Sequence, residues 1–316
     1  MPNDLLPQTE DTAVINEWLT EKLASRDPES IKAAADYVED FTRMYIRETG
    51  VTREIIPFEF ATSFDRQHWT TAPVKVIDRE PDQPPAVSVG FGSVPSYMYM
   101  RSPRYAVTFS RIFTDTFTAD VLDLRTYVMD IRQVLSDNAV KDILAEEDNR
   151  FFETIDSLVG NPGDTTSIAA KYTGVPQHIA ISGLTRDSIV ELRKILPKAK
   201  NKLQATTAVI NQITAADVLK FTFNEIGGDL SKDLFISGRV PRHFMGLDWI
   251  ITNKRDVVTD NTIYLFADPK FFGKAYEAER PTMFIENKGY FVSFFLYESI
   301  GTAIGNLAAV GKVTLT

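Results

Sequence analysis

Apolar residues recur along this chain with two different periods, and the changes of period mark out its elements. In the first fifty residues the spacing is helical. Val14, Trp18 and Leu23 form a loose stripe, and Asp27-Pro28 supplies an N-cap and a proline at the first helical position, where no N–H is needed. Ile31, Ala34, Val38, Phe41 and Tyr45 then keep helical spacing until Gly50 stops it. From 54 to 113 the period drops to two. Ile55–Phe60, Val74–Ile77, Ala86–Val89, Tyr97–Met100 and Tyr105–Phe113 are short aromatic and β-branched runs broken by Pro and Gly, hence predicted strands. Between two of them lies Asp78-Arg79-Glu80-Pro81-Asp82-Gln83-Pro84-Pro85. A charged, proline-rich segment neither pairs as a strand nor tolerates burial, so it belongs at the tip of a projecting hairpin.

The helical period returns over 117–159. Val121, Leu124, Val128, Ile131 and Leu135 make one stripe, and Val140, Ile143, Leu144, Phe151, Ile155 and Leu158 the next. Ser136-Asp137-Asn138 between them marks a kink or a fresh N-cap. Gly160-Asn161-Pro162-Gly163-Asp164 ends this helix and reads as a domain junction. Strand and helix then alternate: Ile179–Ile181, a helix over Asp187–Leu196 closed by Pro197, a strand over Ala205–Ile210, and a helix whose Thr214-x-x-Asp217 has capping-box spacing. Near the C-terminus, Thr282–Glu286 and Tyr290–Tyr297 flank Asn287-Lys288-Gly289, a hairpin signal. Ala308–Leu315 is expected to add a third antiparallel strand to that hairpin, after breaks at Gly301 and Gly305.

A chain of 316 residues favours two domains over one core. Its 44% hydrophobic and 24% charged residues exclude wholesale disorder. Cysteine is absent, which removes disulfides, thiolate metal sites and thiol nucleophiles. No secretory leader is expected in residues 1–25, and no apolar run approaches the length of a membrane span. The net charge is −9, so the chain is a poor nucleic-acid binder.

Candidate chemistry is sparse. The three histidines, His68, His178 and His243, sit in separate segments without metal-ligand spacing, and a structural or surface role is expected for each. Gly90-Phe91-Gly92 lacks a third glycine and a following helix, and Gly160-Asn161-Pro162-Gly163 lacks the lysine of a phosphate loop. Glu146-Glu147-Asp148 is the one dense carboxylate run. Neighbours on a helix point about 100° apart, so these three do not converge on one ion, and a solvated helix face is expected. Neither a catalytic residue nor a cofactor or metal site is identified.

From Gly238-Arg239-Val240-Pro241-Arg242 onward the pieces form one ordered series. It continues through Trp249-Ile250-Ile251-Thr252-Asn253-Lys254-Arg255, Thr262–Pro269, Phe284–Tyr290 and Glu298-Ser299-Ile300-Gly301, and ends with Asn306 and Val313-Thr314-Leu315. This order resembles the C-terminal part of tailed-bacteriophage major capsid proteins of the Hong Kong ninety-seven type. The run Arg132-Gln133-Val134-Leu135-Ser136-Asp137-Asn138 is similar to the start of that family's spine helix. The likeness spans roughly 54–316 and fades toward the N-terminus.

The resemblance implies an α+β capsid fold in four parts. They are an N-terminal helical arm (1–53), an extended loop with flanking strands (54–113), a peripheral domain with a long spine helix (114–160 and 276–316), and an inserted axial domain (161–275). The N-terminal pattern itself also fits a plain packed helical pair. The implied role is structural: copies join as pentamers and hexamers into an icosahedral virion shell, assembled in the host cytoplasm, that encloses double-stranded DNA without sequence-specific binding. Implied partners are a separate scaffolding protein, a portal and decoration proteins, with no membrane. Trp18, Trp69, Lys75, Arg79, Glu80 and Asp82 are the expected inter-subunit contacts. Some family members join a loop lysine to an asparagine; Lys75 is the only lysine between Lys32 and Lys141. No acceptor motif accompanies it, since Asn287 and Asn306 both have ordinary turn contexts, and a non-covalent shell is expected. An encapsulin-like shell is the runner-up, and a soluble α+β enzyme or binding protein the rival from another class.

Overall fold

The computed structural model describes residues 12–24, 27–62, 66–67, 74–78, 88, 90–93, 104–120, 122–123, 131–220 and 242–316. Helices α1 (Thr12–Ala24) and α2 (Pro28–Thr49) lead into a short α3 (Val51–Ile55), which ends before strand β1 (Phe58–Phe60). The strand expected from Ile55 thus starts later, because Ile55 and Ile56 are buried by a helical turn. Strands β2 (Arg66–Gln67), β3 (Val74–Asp78) and β4 (Arg104–Thr108) form a small antiparallel sheet in the order given. Phe109 then breaks the predicted strand 105–113, and β5 (Ser110–Phe113) passes to another sheet.

Phe117–Asp120, expected to open the long helix, is instead strand β6, paired with Phe291–Phe294. Its Phe117 stacks on Phe294 at 5.5 Å, a cross-strand contact that outweighs the helical spacing of the residues after it. The helix itself, α4, runs unbroken over Ile131–Val159, about 43 Å at 1.5 Å per residue, with no break at Ser136–Asn138. Short α5 (Ile168–Thr173), β7 (His178–Ile181), α6 (Arg186–Lys198), β8 (Ala205–Asn211) and α7 (Gln212–Ala215) follow. Helix α6 runs past Pro197 to Lys198 and carries a capping box of Thr185 and Ser188. Helix α7 is capped by Asn211, not Thr214, whose hydroxyl instead accepts from the Asn261 N–H at 2.8 Å.

Two larger sheets carry the molecule. The first is built on the hairpin of β12 (Gly273–Lys288) and β13 (Phe291–Ile304), with β1 beside β12, and β5 and β6 on the far side of β13. Its turn sits at Gly289-Tyr290, where Gly289 has φ 77, so Asn287 is a strand residue. The second sheet has the order β7, β14 (Val310–Leu315), β11 (Thr262–Ala267), β8, β10 (Leu247–Thr252) and β9 (His243–Phe244). The terminal strand β14 therefore pairs antiparallel with β11 and parallel with β7, not with the hairpin as expected. Apolar residues anchor it on both sides of the sheet, Val310 on one and Val313 with Leu315 on the other, while Lys312 and Thr314 bond Asp156 and His178. All six residues of β11 are buried, as a strand covered on both faces requires.

Three cores hold these layers. Leu19, Leu23 and Val38 of the N-terminal helices meet Val140, Ile143 and Leu144 of α4 over Ile285, Phe294 and Leu296 of the hairpin. Phe151 and Phe152 of α4 pack with Tyr264 and Phe266 of β11 and with Phe272 of α8 (Pro269–Phe272). Ile189, Leu192, Ile195 and Leu196 of α6 cover the other face of the second sheet. The predicted strands Ala86–Val89 and Tyr97–Met100, and the helical stripe over 121–130, fall almost wholly outside the described residues.

Candidate functional site

Of the six expected contact residues, Trp69, Arg79, Glu80 and Asp82 lie outside the described residues. Trp18 is half-buried on α1, edge-on to Tyr37 of α2 with ring centroids 5.5 Å apart. Lys75 lies on β3, opposite Arg66 and Val107, with its Nζ 4.3 Å from the centroid of the Tyr276 ring. Tyr276 belongs to a small core of Val107, Phe109, Ala278 and Ala303 beneath the three-stranded sheet, so Lys75 ties that sheet to the base of the hairpin. Trp18 and Lys75 belong to different cores. Asn287 Nδ2 donates to the Leu23 carbonyl at 2.8 Å, fastening the end of α1 to the hairpin. Asn306 caps a 3₁₀ turn, accepting from the Ala308 N–H at 3.0 Å.

A surface that the sequence reading missed lies on the outward face of the hairpin sheet. Phe284 and Phe295 have ring centroids 5.1 Å apart, Phe295 and Tyr297 6.0 Å, and Phe113 lies opposite Tyr297 in register. Phe113 and Phe284 are exposed, as is Phe291 farther along the same face. The Arg111 guanidinium stands 5.7 Å from the Tyr297 ring and pairs with Glu279 at 2.9 Å. The signal was the series Phe291, Phe295 and Tyr297, which the strand period of two puts on one face of β13 while Phe294 turns to the other.

A second missed feature is buried. Glu147 and Asp148, expected on a solvated face, are only 1% and 0% exposed; Glu146 alone of the three reaches outward, to Arg150 at 2.5 Å. Helical spacing explains the correction, since Ile143, Glu147, Phe151 and Ile155 lie four residues apart and share the inward face. Glu147 is met by Arg53 of α3, whose Nε lies 3.2 Å away. The same guanidinium reaches Glu277 of β12 at 2.8 Å and Glu298 of β13 at 3.1 Å, and rests 4.4 Å from the Phe58 ring centroid. Beside this centre, Asp148 accepts from the Thr52 N–H and hydroxyl at 2.8 and 2.6 Å and from Lys254 Nζ at 2.5 Å. Burial raises the Glu147 carboxyl to about 7 and the Glu298 carboxyl to about 8, against the pull of Arg53.

Farther along α4, Asp156 accepts from Lys312 Nζ at 2.7 Å and from the Tyr264 hydroxyl at 3.0 Å, joining the helix to the second sheet. His178 is buried, with Nδ1 2.6 Å from the Gly160 carbonyl and Nε2 2.8 Å from the Thr314 hydroxyl. That pattern suits a neutral ring, and burial holds its pKa below the ordinary value. His243 is exposed beside Asp248, and His68 lies outside the described residues. A groove of about 940 Å³ runs between Lys141, Leu144 and Ala145 of α4 and the loop 253–260. Its Lys254 is engaged by Asp148 and its Arg255 by Asp260, and its Thr259 hydroxyl lies 3.0 Å from that of Thr262. Among the described residues no three His, Cys, Asp or Glu side chains are grouped to hold a metal, and no helix is long and apolar enough to cross a membrane.

No protein-family model and no curated protein matches the chain. Solved structures do. The capsid of an empty GTA particle matches with a TM-score of 0.59 at 12% identity, covering 85% of this chain and 90% of that one. The mature capsid of bacteriophage PhiM1 matches with a TM-score of 0.59 at 10% identity, over 85% and 87%. The virus-like particle from Pyrococcus furiosus matches with a TM-score of 0.55 at 12% identity, over 88% and 98%. The chain therefore has the α+β fold of tailed-phage capsid subunits, the Hong Kong ninety-seven type.

Proposed function

We propose that this chain is a major capsid protein, a structural subunit whose copies assemble as pentamers and hexamers into the icosahedral shell around the double-stranded DNA of a tailed phage. The observation that carries this reading is the sharing of one fold with shell-forming subunits over about five-sixths of the chain. The exposed aromatic face of the hairpin sheet supports it, since an apolar patch of that kind marks an interaction surface. In this reading 1–53 is the arm, 54–113 the extended loop, 114–160 with 276–316 the peripheral domain and 161–275 the axial domain. The last strand, 310–315, returns to the axial sheet. Trp18, Trp69, Lys75, Arg79, Glu80 and Asp82 meet neighbouring copies, and scaffolding, portal and decoration proteins complete the virion, assembled in the host cytoplasm.

Expressed with its scaffolding partner, the protein should sediment as megadalton particles and appear as closed shells in electron micrographs. Monomers or dimers alone would refute the reading. An encapsulin-like non-viral shell is the second reading, with less behind it than the phage capsids; a virus-like particle from Pyrococcus furiosus is among the structures of similar fold. The ratio of absorbance at 260 and 280 nm of native particles separates DNA-filled shells from protein-filled ones.

The loop should matter for assembly and little for the subunit. Val74 is buried and β3 is paired with β4 along its length, so the test replaces only 79–89, beyond that strand, with Gly-Ser. Expected are an unchanged circular dichroism spectrum and no particles by sedimentation; particles at wild-type yield would remove the loop from the assembly surface.

A further inference from the structure

The Arg53 centre joins four segments that are far apart in the chain: α3, the middle of α4, and both strands of the hairpin. Three carboxylates face one guanidinium there. The neighbouring cations do not make up the difference, since Lys254 is taken by Asp148 and Arg150 by Glu146. Glu298 is the most confined of the three. It is fully buried, one carboxylate oxygen accepts from Arg53, and the other, Oε1, has no hydrogen-bond partner among the described residues. An ionised oxygen in that position is far costlier than a neutral one.

We propose that this centre is a proton-binding site: the closed chain holds protons on Glu298 and Glu147, and gives them up when α3 parts from the hairpin. Proton concentration then sets how firmly the N-terminal helices are joined to the rest of the subunit. The charged groups around it are Arg53 on α3, Glu147, Asp148 and Arg150 on α4, Glu277 on β12 and Glu298 on β13, with Lys254 reaching Asp148 from its loop. Burial and mutual repulsion raise Glu298 to about 8, while Arg53 pulls it back. In the opened state both carboxyls meet water and return to the ordinary range near ~4.3.

The sign follows. Below the ordinary carboxylate range both states are protonated, and pH has no effect through this centre. Between there and about 7 the closed state carries two protons that the open state lacks, and between about 7 and about 8 it carries one. Each unit of rising pH in that window increases opening about tenfold per proton released. Above it the dependence ends. The joint is tight in mild acid and looser in mild alkali. Nothing in this depends on the chain forming a shell.

Hydrogen exchange of the full-length chain, read by mass spectrometry at pH 6 and pH 8 and corrected for the intrinsic rate, tests it. Peptides covering Val51–Ile55 and Phe291–Ile304 should open at least tenfold more at pH 8, while peptides of β11 should not. Glu298→Gln, which keeps the shape and removes the charge, should cut that dependence, and E147Q with E298Q should abolish it. An unchanged dependence in Glu298→Gln, or an equal one in β11, would overturn the proposal. A measurement that needs no variant is the infrared carbonyl band of a protonated carboxyl: it should be present in the wild type at pH 6 and fade by pH 9. Its absence at pH 6 would also overturn the proposal.

Discussion

At pH 9, above the range in which Glu147 and Glu298 hold protons, replacing Arg53 with alanine should lower the stability of the protein by about 3–5 kcal/mol, the usual cost of leaving buried charge without its partner. The loss is large because one side chain serves three acceptors, two of them almost fully buried. Urea unfolding followed by tryptophan fluorescence gives the figure. The loss should shrink in mild acid, where Glu147 and Glu298 are neutral and no longer need a cation. Adding Glu298→Gln to Arg53→Ala should recover part of the stability at pH 9, where the Glu298 carboxyl is ionised in the closed protein. A loss below about 1 kcal/mol would place the centre among the many surface ion pairs of little weight.

Phe152→Ala should be as damaging, at about 3–5 kcal/mol. Its ring packs at 4.7 Å from Tyr264, 5.3 Å from Phe151 and 6.4 Å from Phe266, and it is buried between α4 and the second sheet. Removing it leaves a cavity lined by rigid rings, which have little freedom to close it. Phe152→Leu should cost much less, because it keeps most of the volume. Equal losses for the two variants in the same unfolding assay would mean that the ring geometry, not the cavity, sets the cost.

The sequence made the general architecture legible because its strongest signals are periodic. Continuous apolar residues in Thr262–Ala267 announce a strand covered on both faces, and Ile143, Phe151 and Ile155 announce the inward side of α4. The buried charge centre was written in the same periods. Glu298 stands in the inward series Val292, Phe294, Leu296, Glu298, Ile300, and Glu147 stands between Ile143 and Phe151. Each departs from an apolar series at a single position, and a charged residue within such a series requires a partner in the core. The identity of that partner was out of reach, since Arg53 lies 94 residues from Glu147 and 245 from Glu298. Long-range pairing also explains the other corrections. Nothing local in Phe117–Asp120 names β13 as its neighbour, and nothing local in Val310–Leu315 chooses β11 over the hairpin.

The place of β14 has a consequence for how the subunit is made. Among the described strands, β7 is attached to the second sheet only through β14, in a register that sets His178 against Lys312. During synthesis β7 leaves the ribosome more than a hundred residues before the strand that holds it. Until residues 310–315 arrive, β11 has one bare edge and β7 has no strand beside it, held only by contacts such as the Gly163 N–H on the His178 carbonyl. Closing the sheet is therefore among the last events of folding, and it requires bringing together segments with a long loop between them, which is slow. Bare strand edges invite pairing with other chains during that interval. The chain thus completes its own structure late, and a ribosome stalled short of residue 310 would leave a chain whose bare strand edges stick to others.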